Sequence, residues 1–416
     1  GEPDFPTPEY IIDATKKALD EGYTKYSTPQ GLLELRTLIA KEYKPYKAEE
    51  VIIFPGAKAA IHAALTSILE PGDEVIIVEP YYVSYPAMIK LAEPKAKIVK
   101  IALNKDFTFP LEKLEEKITK KTKLLILNYP HNPTGQILSF QETMKIVNLV
   151  FRNKIYLLSD EIYDKLNFSG KAFHSFAEFP LIKDQLVVIN GFSKTYAMTG
   201  FRLGYALANK ELINKMNLVN QNINTNTATF IQKGAVAALT NKPMFLIPYN
   251  NELKERALYL HEEVNKLPLF SGVLPEGAFY YFMNISKTKL TSTEFANKLL
   301  EEHNLLVVPG IAFGEKFDKY VRLSLCVSMD TLKETVEILK EFKTNNYYMF
   351  KQIIDREIIK IKKEFSTTSS YIYLTDILKN KKIDKSYRTF FLAEVSWWIY
   401  QEGLAREANQ FFDTNT

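Results

Sequence analysis

The chain has 416 residues, a formal net charge of +4 and a hydrophobic content of 46%. Single hydrophobic cores stop growing at roughly 250 to 300 residues, so more than one domain is expected. The small net charge, and the lack of a basic run interleaved with aromatic residues, argue against a nucleic-acid partner.

The sequence also argues against a membrane-spanning segment, a metal site and an internal disulfide. No run of about 18 apolar residues and no basic-then-apolar leader is present, so we expect no membrane partner and a cytoplasmic location. The five histidines are scattered and the single cysteine, Cys326, lies in an apolar run. We therefore predict neither a metal site nor an internal disulfide, and a reducing compartment.

Short apolar runs separated by helix-like stretches dominate the first half of the chain. Four such runs occur, at Glu74–Val78, Leu124–Leu127, Ile155–Leu158 and Leu186–Ile189. Such runs indicate strands buried on both faces of a mostly parallel sheet. Open α/β sheets bind ligands at the carboxyl ends of their strands, so we predict an α/β fold with its chemistry in one crevice.

Residues able to do chemistry follow these runs. Lys194 could form an imine with an aldehyde. Arg202 lies eight residues later, and its planar guanidinium could bind a phosphate through two hydrogen bonds. Gly56, Ala57 and Lys58 open an apolar helix, where backbone N–H groups offer a second anion site. Taken singly, each feature has a plainer interpretation as a turn, a helix cap or a surface amine. Their occurrence together favours one functional site.

The segment Gly191 to Gly204 resembles the cofactor-lysine signature of the class I and II aminotransferases, pyridoxal-phosphate (PLP) enzymes of fold type I. Companion motifs occur in family order at Gly1–Phe5, Tyr26, Asn132–Gly135, Asp160–Tyr163, Gly277–Tyr280 and Arg322–Ser324. The resemblance extends from Gly1 to about Phe342 and is closest to the aspartate-aminotransferase branch of bacteria and archaea. It implies a large PLP-binding domain over 10–255, with a mostly parallel sheet covered by helices. A smaller α+β domain would combine 1–9 with 256–343.

The resemblance also implies roles in binding the cofactor, pyridoxal 5'-phosphate. Lys194 would hold it covalently and move the substrate proton, Asp160 would pair with its pyridine nitrogen, and Tyr82 would stack on its ring. These three are the predicted catalytic residues. The other implied cofactor-binding residues are Gly56, Ala57, Lys58, Asn132, Tyr163, Ser193 and Arg202, with Tyr26 reaching over from the second subunit of a homodimer.

For the substrate, the resemblance implies that Arg322 binds the α-carboxylate beside Gly1 and Asn132, and that Lys58 binds a distal carboxylate. The predicted reaction is a ping-pong transamination, through pyridoxamine phosphate, between aspartate or glutamate and a 2-oxo acid such as 2-oxoglutarate. Two alternatives stay open. One is an aromatic, alanine or prephenate-type aminotransferase on the same scaffold, and the other is a non-catalytic PLP-binding regulatory protein.

Three features depart from the family pattern. Relatives carry some tens of residues before the Gly1 motif, so the sequence is expected to be trimmed or to have an altered dimer and pocket. Many relatives have a serine where this chain has Gly191, so one phosphate ligand is expected to be missing. Residues 344–416 have no counterpart in the family, and helical spacing of their apolar residues predicts a helical C-terminal extension of unknown role.

Overall fold

The computed structural model describes residues 1–342. The helical extension predicted for 344–416 therefore lies outside the described residues. Within residues 1–342, every helix is too short or too polar to cross a membrane.

A seven-stranded sheet forms the centre of the molecule. Its strands are β1 (Val51–Phe54), β2 (Glu74–Glu79), β3 (Lys97–Ala102), β4 (Thr122–Asn128), β5 (Tyr156–Asp160), β6 (Leu186–Gly191) and β7 (Gly204–Leu207). The spatial order is β1-β7-β6-β5-β4-β2-β3, and only β7 runs antiparallel to its neighbours. The predicted mostly parallel α/β sheet is thus confirmed.

Helices cover the sheet. Those of the first 270 residues are α1 (Glu9–Asp20), α2 (Leu33–Glu42), α3 (Ala57–Ile68), α4 (Tyr85–Ala92), α5 (Leu111–Lys117), α6 (Phe140–Asn153), α7 (Lys210–Ile223), α8 (Thr229–Thr240) and α9 (Leu246–Lys266). Alternate residues of one strand enter different cores: Val188 of β6 belongs to one buried cluster, whereas Val187 and Ile189 belong to another. Burial on both faces explains why these strands read as continuous apolar runs.

A second, antiparallel sheet follows later in the chain. It contains β8 (Ser271–Gly272), β9 (Tyr280–Asn284), β10 (Val308–Pro309) and β11 (Tyr320–Ser324), in the order β10-β11-β9-β8. Two further helices, α10 (Ser292–His303) and α11 (Met329–Glu341), belong to the same part of the chain. In the register of β9 and β11, Arg322 lies opposite Phe282. The domain boundaries given above stay a prediction.

Candidate active site

A cavity of about 450 Å³ lies at the carboxyl ends of β4, β5 and β6. Eleven of the thirteen predicted site residues line it: Gly1, Ala57, Lys58, Tyr82, Asn132, Asp160, Tyr163, Ser193, Lys194, Arg202 and Arg322. The volume is within the range of small-molecule sites. The fold therefore brings together side chains that are up to 321 positions apart in the sequence, from Gly1 to Arg322.

The charge of the cavity lining is predominantly positive. Its cations are Lys58, Lys194, Arg202 and Arg322, and its carboxylates are Glu2 and Asp160. A concave surface lined by an excess of one sign of charge concentrates ligands of the opposite sign. The cavity is therefore suited to a ligand that carries several negative charges.

Asp160 is the buried acid of the cavity. It ends β5, is only 5% exposed, and its Oδ2 accepts a 2.7 Å hydrogen bond from the hydroxyl of Tyr85. Burial raises the pKa of Asp160 to about 6, although the bonds from Tyr85 and the Ile162 N–H and the charge of Lys194 oppose that rise. A cationic group beside this carboxylate would favour its charged form.

Lys194 follows β6 by three residues, and its ammonium group donates a hydrogen bond to the carbonyl of Gly1. Burial is the largest cause of the lowered pKa of Lys194. The charges of Arg322 and Arg202 lower it further, whereas Glu2 and Cys326 act in the opposite direction. A lysine of lowered pKa is more often neutral, which is the form that attacks carbonyl carbon and accepts protons.

Arg322 is held in place by three neighbours. Its Nη1 donates a 2.9 Å hydrogen bond to Oδ1 of Asn132. Its guanidinium carbon lies 4.2 Å from the ring centroid of Tyr280 and 5.1 Å from that of Phe313. Such stacking fixes a planar guanidinium while its other N–H groups stay available for a carboxylate.

The turn before α3 approaches Arg202 closely. Gly56 caps this helix with a φ of 93°, and a Cβ at that position would lie 2.6 Å from Nη2 of Arg202. Only glycine is free of strain in such a conformation. The N–H of Gly56 donates to the carbonyl of Phe54. Ala57 and Lys58 line the cavity and Gly56 does not; the binding of an anion by the N–H groups of this turn stays a prediction.

Lys58 and Tyr82 lie beside each other at the cavity, with the Lys58 ammonium 5.7 Å from the ring centroid of Tyr82. Tyr82 in turn packs edge-on against Tyr85, at 5.4 Å between ring centroids. Tyr26 is outside the cavity, and its side chain is 86% exposed. The expected contribution of Tyr26 to the site of a second subunit stays a prediction.

The family model described as aminotransferase class I and II matches residues 1–339. The chain belongs to this family. The aspartate aminotransferase of Sulfurisphaera tokodaii is 40% identical to this aminotransferase over 357 residues, which are 82% of this chain and 88% of the relative. Enzymes of this family depend on PLP.

Solved structures agree with this assignment. The aromatic aminotransferase of Pyrococcus horikoshii matches with a TM-score of 0.79 and 34% identity, covering 82% of this chain and 93% of that one. The aspartate aminotransferase of Thermus thermophilus, solved with maleate, matches with a TM-score of 0.78 and 34% identity, covering 82% and 89%. The chain therefore has the aminotransferase fold, as its sequence predicted.

Three residues of this aminotransferase site were given no role by the sequence. Tyr85 contacts Asp160, Tyr280 contacts both Tyr163 and Arg322, and Asn128 accepts from the N–H of Asn132 while donating to the carbonyl of Asp160. Tyr280 closes a recognised motif, and Asn128 is the first polar residue after an apolar run. Nothing in the sequence distinguishes Tyr85 from the other aromatic residues around it.

Gly191, where many relatives have serine, has a steric explanation in this aminotransferase. A Cβ at Gly191 would lie 2.9 Å from the carbonyl oxygen of Leu203 and 3.0 Å from Cα of Gly204. Gly191 pairs with Gly204 between β6 and β7, so these are main-chain contacts that a side chain could not displace cheaply. Close pairing of the two strands thus accounts for the glycine.

Proposed function

We propose that this aminotransferase uses PLP to exchange an amino group between an acidic amino acid, aspartate or glutamate, and a 2-oxo acid such as 2-oxoglutarate. The observation that carries this proposal is that Lys58 and Arg322 line the same cavity as Lys194. Two cations that can bind carboxylates thereby share a site with one amine. The names of the S. tokodaii relative and of the T. thermophilus structure with maleate, a dicarboxylate, support the same substrate class.

The cavity has the donor set that PLP requires. Asp160 offers a buried carboxylate, its pKa raised by burial to about 6, whose charged form a protonated pyridine nitrogen would favour. Arg202, Ser193 and the first turn of α3 supply cationic and hydrogen-bonding groups for a phosphate. Tyr82 offers a ring for stacking, and Asn132 and Tyr163 offer polar groups for the phenolic oxygen.

When bound, PLP supplies an aldehyde that joins the amino group covalently and a protonated ring that withdraws electrons from the substrate α carbon. Asp160 would keep the ring nitrogen protonated through its charge. Lys194 would accept the proton from the α carbon and deliver it to the cofactor carbon that carried the aldehyde, with the reverse transfer in the second half of the cycle. Its lowered pKa favours the neutral form that can accept this proton. This assignment gives one lysine two successive tasks, as covalent anchor and as base.

Arg322 orients the substrate. Since Asn132 and the rings of Tyr280 and Phe313 fix its guanidinium, the free N–H groups can bind the α-carboxylate in a bidentate pair. Gly1 allows the carboxylate to approach the backbone, because a Cβ there would lie 2.6 Å from the Tyr280 hydroxyl. A fixed carboxylate directs the α carbon toward Lys194, which lines the same cavity.

Substrate choice tests the role of Lys58. In Lys58→Ala we expect kcat/KM for aspartate to fall about 10- to 100-fold, since a charge-assisted hydrogen bond contributes roughly 1.5 to 3 kcal/mol. Values for phenylalanine and alanine should change little, and Lys316→Ala, at an exposed lysine, is the matched control. Unchanged turnover of aspartate in Lys58→Ala would refute the acidic assignment and favour an aromatic, alanine or prephenate-type substrate.

The site is further proposed to be completed in a homodimer by Tyr26 of the other subunit. The exposed Tyr26 side chain supports this arrangement. Refolding Tyr26→Ala subunits together with Lys194→Ala subunits should give more activity than either variant alone, because mixed dimers would contain one intact site. Activity no higher than that of the Tyr26→Ala parent would argue against a shared site. The cytoplasmic location stays a prediction.

A further inference from the structure

Tyr280 contacts two residues of the site that have different proposed functions, Tyr163 and Arg322. It is the first residue of β9, is 2% exposed, and lines the cavity. We propose that Tyr280 is a positioning residue, whose hydroxyl directs the proton of Tyr163 into the cavity and whose ring supports the carboxylate-binding Arg322. The inference rests on the proposed function. In that function Tyr280 couples Tyr163, which contacts the cofactor, to Arg322, which binds the substrate.

Tyr163 and Tyr280 are two buried phenols that contact each other. The hydroxyl oxygens of Tyr163 and Tyr280 lie 2.9 Å apart. Burial raises the pKa of Tyr280 to about 12, and that of Tyr163 is raised as well, so both keep their protons at neutral pH. One of the two protons is used between the oxygens. The other is left for a third acceptor.

The direction of this hydrogen bond decides which phenol serves the ligand. If Tyr280 donates to Tyr163, then Tyr163 retains a proton that it can donate into the cavity. Tyr163 lines the cavity, and an acceptor on the ligand would take its proton. The proton of Tyr280 is then the one left to bridge the two oxygens, so Tyr280 donates to Tyr163 and Tyr163 donates to the ligand.

The ring of Tyr280 contacts Arg322. Its guanidinium carbon lies 4.2 Å from the Tyr280 ring centroid, closer than to the second ring, Phe313, at 5.1 Å. A guanidinium over an aromatic face is attracted electrostatically and gives up little of its hydrogen-bonding capacity. The Tyr280 ring therefore holds Arg322 in the plane that a carboxylate needs, independently of the hydroxyl.

Tyr281 provides a matched control on the same strand. It is buried like Tyr280, but successive strand residues point to opposite faces. Its hydroxyl lies 3.4 Å from Nδ1 of His261 and 3.5 Å from Nδ2 of Asn265, and it does not line the cavity. Tyr281→Phe removes the same atom from the same strand without touching the site.

The hydroxyl is tested by titrating the visible cofactor band of the holoenzyme with pH. A hydrogen bond to the phenolic oxygen favours its charged form, so Tyr163→Phe should raise the pKa of the band. Tyr280→Phe should raise it by up to about one pH unit, since a neutral hydrogen bond contributes roughly 0.5 to 1.5 kcal/mol. The double variant should match Tyr163→Phe alone, and Tyr281→Phe should match the wild type.

The ring is tested by the binding of maleate, a dicarboxylate that cannot react, to the same holoenzymes. Tyr280→Leu should weaken maleate binding about tenfold through loss of the cation–π contact, whereas Tyr280→Phe, which keeps the ring, should not. Equal weakening in both variants, or in neither, would overturn the ring's role. Near-native melting of Tyr280→Phe keeps the hydroxyl test valid if Tyr280→Leu folds poorly.

Failure of this inference can be told from failure of the proposed function. A wild-type cofactor band that ignores added aspartate would overturn the proposed function and this inference with it. A band that responds to aspartate, but titrates alike in the wild type and Tyr280→Phe, would overturn the role of the hydroxyl alone. Additive shifts in the Tyr163→Phe, Tyr280→Phe double variant would likewise show that Tyr280 does not act through Tyr163.

Discussion

The two sheets contribute to the cavity in different ways. The seven-stranded sheet places Asp160 at the last residue of β5 and Lys194 three residues beyond β6, so its functional groups lie where strands end. The four-stranded sheet places Tyr280 at the start of β9 and Arg322 in the middle of β11. Its functional groups therefore share strands with the core residues.

This difference determines how well the functional groups of each sheet can be predicted from the sequence. Buried parallel strands form continuous apolar runs, and the first polar residues after them mark the ligand edge. In β11, Arg322 lies inside the strand and alternates with the buried Val321 and Leu323, so it is not one of the polar residues that follow the end of an apolar run. Its function is evident only from a family resemblance or from the folded cavity.

The largest expected effect tests the strand-end group Lys194. Lys194→Ala should lower amino-group transfer at least about a thousandfold, because it removes both the covalent anchor and the base. The measurement is the rate at which the visible cofactor band changes after aspartate is added. Lys194→Arg is the sharper control, since a guanidinium keeps the charge but cannot give up its proton in a protein.

If either variant reacted within tenfold of the wild-type rate, Lys194 would not be the functional group that the seven-stranded sheet contributes. Borohydride reduction of the wild-type holoenzyme, followed by mapping of the modified residue, should place the label on Lys194. A label on any other lysine would refute the assignment directly.

A smaller effect is expected from the mid-strand group Arg322. Arg322→Lys keeps the charge but loses the bidentate fork and the geometry of the 2.9 Å bond to Asn132. The KM for aspartate should rise about 10- to 100-fold, corresponding to one or two charge-assisted hydrogen bonds. The pKa and intensity of the cofactor band should stay near those of the wild type. Lost cofactor binding with an unchanged KM would contradict the division of roles between the sheets.

Not all of the seven-stranded sheet could be predicted either. The sequence indicated β2, β4, β5 and β6, but not β1, β3 or β7. The edge strand β3 mixes lysines with apolar residues and is largely unburied, so it has no continuous apolar run. β7 is four residues long and antiparallel, inserted between β1 and β6 after a loop, and its pairing depends on contacts distant in sequence.

The residues of the site, too, could be predicted only in part from the sequence. Lys194 and Arg202 could be proposed for one site from their chemistry and spacing, and the family resemblance added Asp160; all three line the same cavity. Tyr85 and Tyr280 were assigned no role, because a tyrosine in an apolar segment is equally suited to packing, and only the folded structure shows that their hydroxyls contact Asp160 and Tyr163. The N–H of Gly56 donates to the carbonyl of Phe54, a contact that the local sequence pattern does not reveal.

The smallest expected effect concerns Glu161, the neighbour of Asp160 beyond β5. It is 1% exposed, and its Oε1 accepts hydrogen bonds from the Ser159 hydroxyl at 2.8 Å and from the Phe176 N–H at 3.1 Å. Burial raises the pKa of Glu161 from 4.5 to about 8. The same strand end thus carries one acid that faces the cavity and one that faces the protein interior.

The folded state therefore binds one more proton than the unfolded state between pH 4.5 and about 8, so this group's contribution to stability declines as pH rises through that window. Glu161→Gln keeps the shape and cannot titrate. Relative to the wild type, its free energy of unfolding should increase by up to about 1.4 kcal/mol per pH unit within the window. Urea unfolding at pH 6, 7 and 8 measures the difference, with Glu116→Gln, at an exposed glutamate, as control. If the difference in free energy of unfolding between Glu161→Gln and the wild type did not vary with pH, Glu161 would be charged in the interior. Asp160 and Glu161 would then both be charged buried acids.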